Sequence, residues 1–158
     1  MIRDAEIEDA PLIASIYNYY IKNSIFTFDE NPIPKSEIEE KINSSPYPFL
    51  IYEDENTILG YAYASLWKSR CAYKFSVEIS IYLNPKSKGI GIGTKLYTNL
   101  IDFLKKEKIH SIIAGISLPN DASVKFHEKM GFEKVGQFKE VGFKFGKWID
   151  VGYWERIL

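Results

Sequence analysis

Residues 77–103, VEISIYLNPKSKGIGIGTKLYTNLIDF, constrain the fold more than any other stretch of the chain. Val77, Ile79, Ile81 and Leu83 alternate with Glu78, Ser80 and Tyr82, the period-2 pattern of a strand with two distinct faces. Asn84-Pro85 closes that strand, because Pro85 donates no ladder hydrogen bond and drives Asn84 away from helical geometry. Beyond a glycine-rich segment, Ile92, Leu96, Leu100 and Leu104 recur every four residues, with Tyr97 and Ile101 beside them. That spacing predicts a helix with one buried stripe.

The turn between them, Lys88-Gly89-Ile90-Gly91-Ile92-Gly93-Thr94, has the chemistry of an anion site. A helix start leaves about four backbone N–H groups without intrahelical partners, and the helix dipole favours negative charge there. Its glycines let a phosphate approach the bare backbone with no Cβ in the way. No Gly-Lys-Ser/Thr closes a P-loop, and the spacing is not G-x-G-x-x-G. Taken alone, the glycines fit a pyrophosphate cradle or a loop that needs them only for its turn.

The rest of the chain arranges itself around this unit. A first strand is expected within residues 1–5. A helix follows to about Lys22, with Asp9 as N-cap, Pro11 in its first turn, and Leu12, Ile13, Ile16, Tyr17, Tyr20 and Ile21 on helical spacing. Residues 24–30 form a loop too apolar for a linker. Ser36-Glu37-Ile38-Glu39 reads as a capping box opening a short helix to about Asn43. Residues 49–52 and 58–67 read as a hairpin around 54–56. Residues 109–117 form a further strand, whose Ile112-Ile113-Ala114 run points to burial on both faces. Asn120-Asp121 opens a short helix that Gly131 ends at C′, and two strand-like stretches flank Gly146-Lys147.

This order predicts an α/β fold in one domain, 1–158: a mixed, largely antiparallel sheet with helices on both faces. The strands at 77–83 and 109–117 are expected to be parallel neighbours, because a helix crosses over between them. At 158 residues and 46% hydrophobic content the chain can bury a sizeable core. A net charge of −1 argues against a non-specific nucleic-acid binder. One cysteine, Cys71, excludes an intrachain disulfide and a Cys-rich zinc site, and His110 and His127 alone leave little for a His-based metal site. No long apolar run or signal-peptide pattern indicates a membrane span or export, so a cytoplasmic protein is expected.

With this order and these residues together, the chain resembles, along its whole length, the GNAT superfamily of acetyl-CoA-dependent N-acetyltransferases. The family's [Arg/Gln]-x-x-Gly-x-[Gly/Ala] turn is matched by residues 88–93, with Lys88 in the place of arginine or glutamine. Its later motif is matched by Asn120-Asp121-Ala122-Ser123 and His127-Glu128-Lys129-Met130-Gly131-Phe132, with histidine where many members have tyrosine. Four blocks, WKSRCAY (67–73), LPND (118–121), SVKFHE (123–128) and VGFKFGKWIDVG (141–152), look like the phosphinothricin acetyltransferase branch. That branch acetylates the amino group of small amino-acid-like compounds such as phosphinothricin or methionine sulfone, and its members are typically homodimers.

The resemblance implies a GNAT fold, acetyl-CoA as co-substrate, a small-molecule amine as acceptor, a homodimer, and neither metal, nucleic acid nor membrane. It implies that Lys88, Gly89, Ile90, Gly91, Ile92, Gly93 and Thr94 hold the pyrophosphate, and that Asn120 and Ser123 also contact the coenzyme. Backbone N–H groups of Ile81, Tyr82 and Leu83 would thread the pantetheine and stabilise the oxyanion. Glu78 matches the proposed general base, although by position alone it reads as a solvated strand carboxylate. His127 stands where the coenzyme thiolate departs; by spacing alone it is a polar residue on a helix whose Val124 and Met130 face the core. Lys68 and Arg70 are candidates for the acceptor's carboxylate, and Tyr73 and Lys144 for the same pocket. Residues 148–154 read as core or as dimer surface. Acetylation of a protein N-terminus or a polyamine, or a sensor that binds acetyl-CoA without catalysis, remain alternative functions.

Overall fold

A computed structural model describes residues 1–87 and 89–158 of the chain. Its elements are β1 (Ile2–Asp4), α1 (Ala10–Asn23), α2 (Lys35–Ser44), β2 (Phe49–Asp54), β3 (Thr57–Leu66), β4 (Ser76–Leu83), α3 (Ile92–Lys106), β5 (Ser111–Leu118), α4 (Asp121–Lys129), β6 (Glu133–Lys144) and β7 (Lys147–Ile157). The strands form one sheet in the order β1-β2-β3-β4-β5-β7-β6. Every neighbouring pair is antiparallel except β4 and β5, as the crossover through α3 requires.

Alternation along the strands divides the apolar residues between two layers. Leu50, Ala62, Ala64, Val77 and Ile79 pack with the Ile92, Leu96, Leu100 and Leu104 stripe of α3. Phe49, Ile51, Ile58 and Tyr61 pack with Ala10, Ile13 and Tyr20 of α1 and Ile38 of α2. The inner strands are therefore covered on both faces, and Glu78, Ser80 and Tyr82 point away from α3.

Two helix starts differ from the sequence reading. Asp9 adopts helical geometry at the start of α1 and makes no side-chain cap to it. Its carboxylate instead accepts from Arg3 Nη1 at 2.7 Å, Arg3 Nη2 at 3.0 Å and the Glu6 N–H at 2.8 Å, so a nearby guanidinium outcompetes the helix. Ser36 is not a cap either. The helix already begins at Lys35 after an extended Pro34, whose missing N–H costs nothing there. At α4 both ends are as expected: Asn120 Oδ1 accepts from Ser123 N at 3.2 Å, and Gly131 turns the chain at φ +86°.

Candidate active site

The β4–β5 ladder covers three pairs, Ser76 with Ser111, Val77 with Ile112 and Glu78 with Ile113, and stops. Past that point the two strands diverge. The β5-facing edge of β4 from Ile79 to Leu83 has no ladder partner and lines a cleft of about 560 Å³. Ala114, Gly115, Ile116 and Ser117 line it from β5. Gly89, Gly91, Gly93 and Thr94 line it at the turn before α3, and Asn120, Ser123 and His127 from the α4 side.

The glycines do different work. Gly89 and Gly91 have φ of +86° and +78°, which L side chains adopt at a cost, and no atom would meet a Cβ on either within 4 Å. They leave the backbone open to an incoming anion at the start of α3. Gly93 is buried, and its Cβ would stand 3.3 Å from the Phe126 ring and 3.4 Å from Ile81. That glycine serves close packing of α3 on the strand and α4. Ile92 and Thr94 also border the cleft; Ile90 is exposed and does not, and Lys88 lies outside the described residues.

Away from the turn, Glu78 stands beside the cleft and is not one of its lining residues; it is half-buried and makes no hydrogen bond or ion pair among the described residues. A Cβ on Gly115 would lie 3.4 Å from Glu78 Oε1 and 3.2 Å from Tyr153 Cε1, so the carboxylate and the tyrosine flank the same bare backbone. Burial pushes the Glu78 pKa up, and the Lys68 cation pulls it partly back. Lys68 Nζ lies 5.3 Å from the Trp67 ring centroid, and Trp67 meets Tyr153 edge-on at 5.6 Å. Lys68, Arg70 and Tyr73 are all exposed in the same loop, outside the cleft lining.

His127 is not a surface residue of α4. It is 3% exposed and faces inward against Tyr97, Phe126 and Phe132. Its Nδ1 is 2.8 Å from Ser123 O, an atom that only accepts, so Nδ1 carries the proton. Nε2 then accepts from Tyr97 Oη at 3.0 Å. Burial pushes the imidazole pKa down against the Ser123 carbonyl, which favours the neutral ring. Tyr97 lay within the α3 stripe and carried no sequence signal beyond an apolar position.

Lys144 also departs from its expected place. It does not line the cleft; its Nζ donates to Ser24 O at 2.9 Å and Thr27 O at 2.8 Å. Tyr20 and Phe26, which the sequence did not single out, line the cleft with Tyr82.

A cleft with an anion cradle at one end and room for a narrow arm between strands suits a group carried on coenzyme A, which places the chain among the CoA-dependent acyltransferases. Comparison with known proteins narrows this. The acetyltransferase (GNAT) domain family matches residues 2–152, and the chain belongs to that family. It is 38% identical to a phosphinothricin N-acetyltransferase of Streptomyces coelicolor, over 99% of this chain and 95% of the relative. It is 32% identical to an L-methionine sulfoximine/L-methionine sulfone acetyltransferase of Salmonella typhimurium, over 96% and 91%. A Sinorhizobium meliloti phosphinothricin acetyltransferase crystallised with AcCoA is 36% identical and superposes with a TM-score of 0.95, covering 100% of this chain and 88% of that one. The expected GNAT fold is thus present, and the protein is an acetyl-CoA-dependent N-acetyltransferase.

Proposed function

We propose that this enzyme transfers an acetyl group from acetyl-CoA directly to the α-amine of a small amino-acid-like compound of the phosphinothricin or methionine sulfone kind. The observation that carries this reading is Glu78, a half-buried carboxylate with no partner among the described residues, standing just outside the cleft lining against Gly115, which lines it away from the glycine turn. An amine must shed a proton to attack, and a carboxylate whose pKa burial has raised is the better base for it. The amine nitrogen bonds to the acetyl carbon, the C–S bond breaks, and the sulfur leaves with the bonding pair. The surplus proton passes from nitrogen to Glu78. Charge developing on the carbonyl oxygen is met by N–H groups of Ile81 and Leu83 on the unpaired edge of β4, whereas strand alternation turns the Tyr82 N–H toward β3.

The coenzyme's anionic head lies on the backbone of residues 89–94, with Asn120 and Ser123 beside its arm. His127 and Tyr97 act as a pair: the neutral imidazole orients the hydroxyl on the thiol side. Lys68 and Arg70 supply cations for the acceptor's carboxylate, with Tyr73 at the loop's edge. Acetyl transfer from a thioester to an amine needs no metal, and among the described residues no three His, Cys, Asp or Glu side chains gather to hold one. Among the described residues no helix is long and apolar enough to cross a membrane, and use of acetyl-CoA supports a cytoplasmic location. The exposed β6–β7 hairpin serves a homodimer.

The test is thiol release from acetyl-CoA with methionine sulfone, phosphinothricin, a polyamine and an N-terminal peptide as acceptors. Turnover concentrated on the two amino acids supports the reading. Preference for the polyamine or the peptide replaces it with one of those acceptors, and coenzyme binding with no turnover on any amine makes the chain a sensor.

A further inference from the structure

The loop joining α1 to α2 belongs to no helix or strand, yet four successive carbonyls in it are held from outside. Lys144 Nζ on β6 takes Ser24 O and Thr27 O at 2.9 and 2.8 Å. Ser117 Oγ on β5 donates to Ile25 O at 2.6 Å, and Tyr82 Oη on β4 to Phe26 O at 3.4 Å. From α1, Tyr17 Oη donates to Asp29 Oδ2 at 2.5 Å and so accepts from Thr27 Oγ1 at 2.6 Å.

The grip has a direction. Tyr82 shares a strand face with Glu78, and Ser117 shares one with Gly115, over which Glu78 lies. The loop therefore roofs the diverging strands on the Glu78 side. Its Phe26 lines the cleft and packs with Tyr20 at 6.2 Å between ring centroids.

Lys144 is the costly member of this grip. The residue is 3% exposed and its ammonium forms no ion pair among the described residues, with Asp29 and Glu30 as the nearby opposite charges. A buried cation on neutral carbonyls does less for stability than a packed apolar side chain would. What it supplies is reach, since one side chain spans from the outermost strand of the sheet to two carbonyls of one loop. The same strand makes a second dock at Gly142, where an added Cβ would come within 2.6 Å of Phe28 Cε2 and 2.9 Å of Cε1. Phe28 thus lies on bare backbone two residues from the lysine.

We propose that Lys144 is a positioning residue for the acyl acceptor, holding the 24–29 loop closed over the Glu78 end of the cleft so that Phe26 walls it. The inference rests on the reading that this end receives the amine. Lys144 acts through the loop and not on the substrate, because its Nζ is already committed to two carbonyls and lies 5.1 Å from the Phe145 ring centroid.

The experiment compares wild type, Lys144→Met, Lys144→Arg and Gly142→Ala. Readouts are amide hydrogen exchange in residues 24–29 and KM for acetyl-CoA, methionine sulfone and methionine sulfone carboxamide. Lys144→Met should speed exchange in the loop and raise KM for both acceptors by about tenfold or more, the usual span for losing charge-assisted bonds. The acetyl-CoA KM should stay within about twofold. Gly142→Ala, which displaces Phe28 and keeps the lysine, should reproduce this pattern if the methionine variant does not fold. Lys144→Arg keeps the cation and should recover part of the loss. Unchanged loop exchange overturns the proposal, as does a loss confined to the carboxylate-bearing acceptor or an equal rise in all KM values. If wild type acetylates neither acceptor, the acceptor reading fails by itself, and with it the positioning role, while loop exchange still reports whether Lys144 holds the loop.

Discussion

At the scale of single residues, Glu78 joins stability and catalysis with opposite signs. Burial lifts its pKa, so the folded protein holds that proton more tightly than the unfolded chain does. Ionising it therefore removes stability as pH rises from the ordinary value near 4.5 through the raised one. Glu78→Gln deletes both the base and this cost. Its kcat should fall by about 10²–10⁴-fold at neutral pH, with recovery at high pH where the amine deprotonates unaided. Its Tm at neutral pH should equal or exceed that of wild type, and the difference should vanish below pH ~4. Wild-type turnover would remove Glu78 from the base role. Lys68 gives an independent check, because its cation favours the ionised carboxylate. Lys68→Met should shift the acid limb of the kcat/KM profile to higher pH, and salt should shift wild type the same way by screening the pair. A limb that stays put belongs to another group. The face that Glu78 occupies was legible from the strand's period, but by position alone the residue read as a solvated carboxylate; the base role rested on the resemblance. The Tyr97–His127 bond was not legible, since it joins positions 30 residues apart, one read as part of a buried helix stripe and the other as a polar residue on a helix face.

At the scale of elements, the turn before α3 separates two uses of glycine that the sequence presents as one motif. Gly91 has an open position and a left-handed backbone; Gly93 has an ordinary backbone and no room. Gly91→Val should weaken acetyl-CoA binding by about tenfold or more, as strain of order 1–2 kcal/mol adds to a side chain standing where an anion approaches. Gly93→Ala should act first on stability, because Phe126 and Ile81 must give way by a few tenths of an ångström. Calorimetry with acetyl-CoA and thermal unfolding on both variants check the division; equal effects of both substitutions on binding alone would contradict it. The order of elements and the parallel β4–β5 pair followed from local periodicity and the crossover that a helix between two strands provides. The helix starts at Asp9 and Ser36 did not, because Arg3 and Pro34 compete for roles that spacing assigns to the caps. Lys144 was legible as a residue of the branch-like block, but its partners lie about 120 positions away, beyond any local pattern.

At the scale of the whole molecule, the outer end of the sheet is left uncovered. β6 is the terminal strand, and residues 133–141 are exposed throughout, so both of its faces meet solvent. Val135, Phe138, Val141, Phe143, Phe145 and Trp148 are all more than half exposed, and Phe143 packs on Trp148 across the hairpin at 4.8 Å. By contrast Trp154 on β7 is buried, so the tail's aromatics divide between core and surface. A long edge strand carrying large apolar side chains on open faces invites pairing, and monomers ordinarily blunt such edges. A second copy of the same hairpin is a self-complementary cover, the commonest arrangement among homo-oligomers. Trp148 is 66% exposed and stands at the hairpin's end, just beyond the β5–β7 ladder that reaches Asp150, so its replacement tests the surface. Trp148→Asp should convert a dimer to a monomer in sedimentation at micromolar concentration, with Tm measured alongside. Because Lys144 and Gly142 on the same strand dock the loop over Glu78, the monomer should also show a raised acceptor KM and an unchanged acetyl-CoA KM. A wild-type protein that sediments as a monomer would remove the dimer, and a monomeric variant with wild-type acceptor KM would separate assembly from the site.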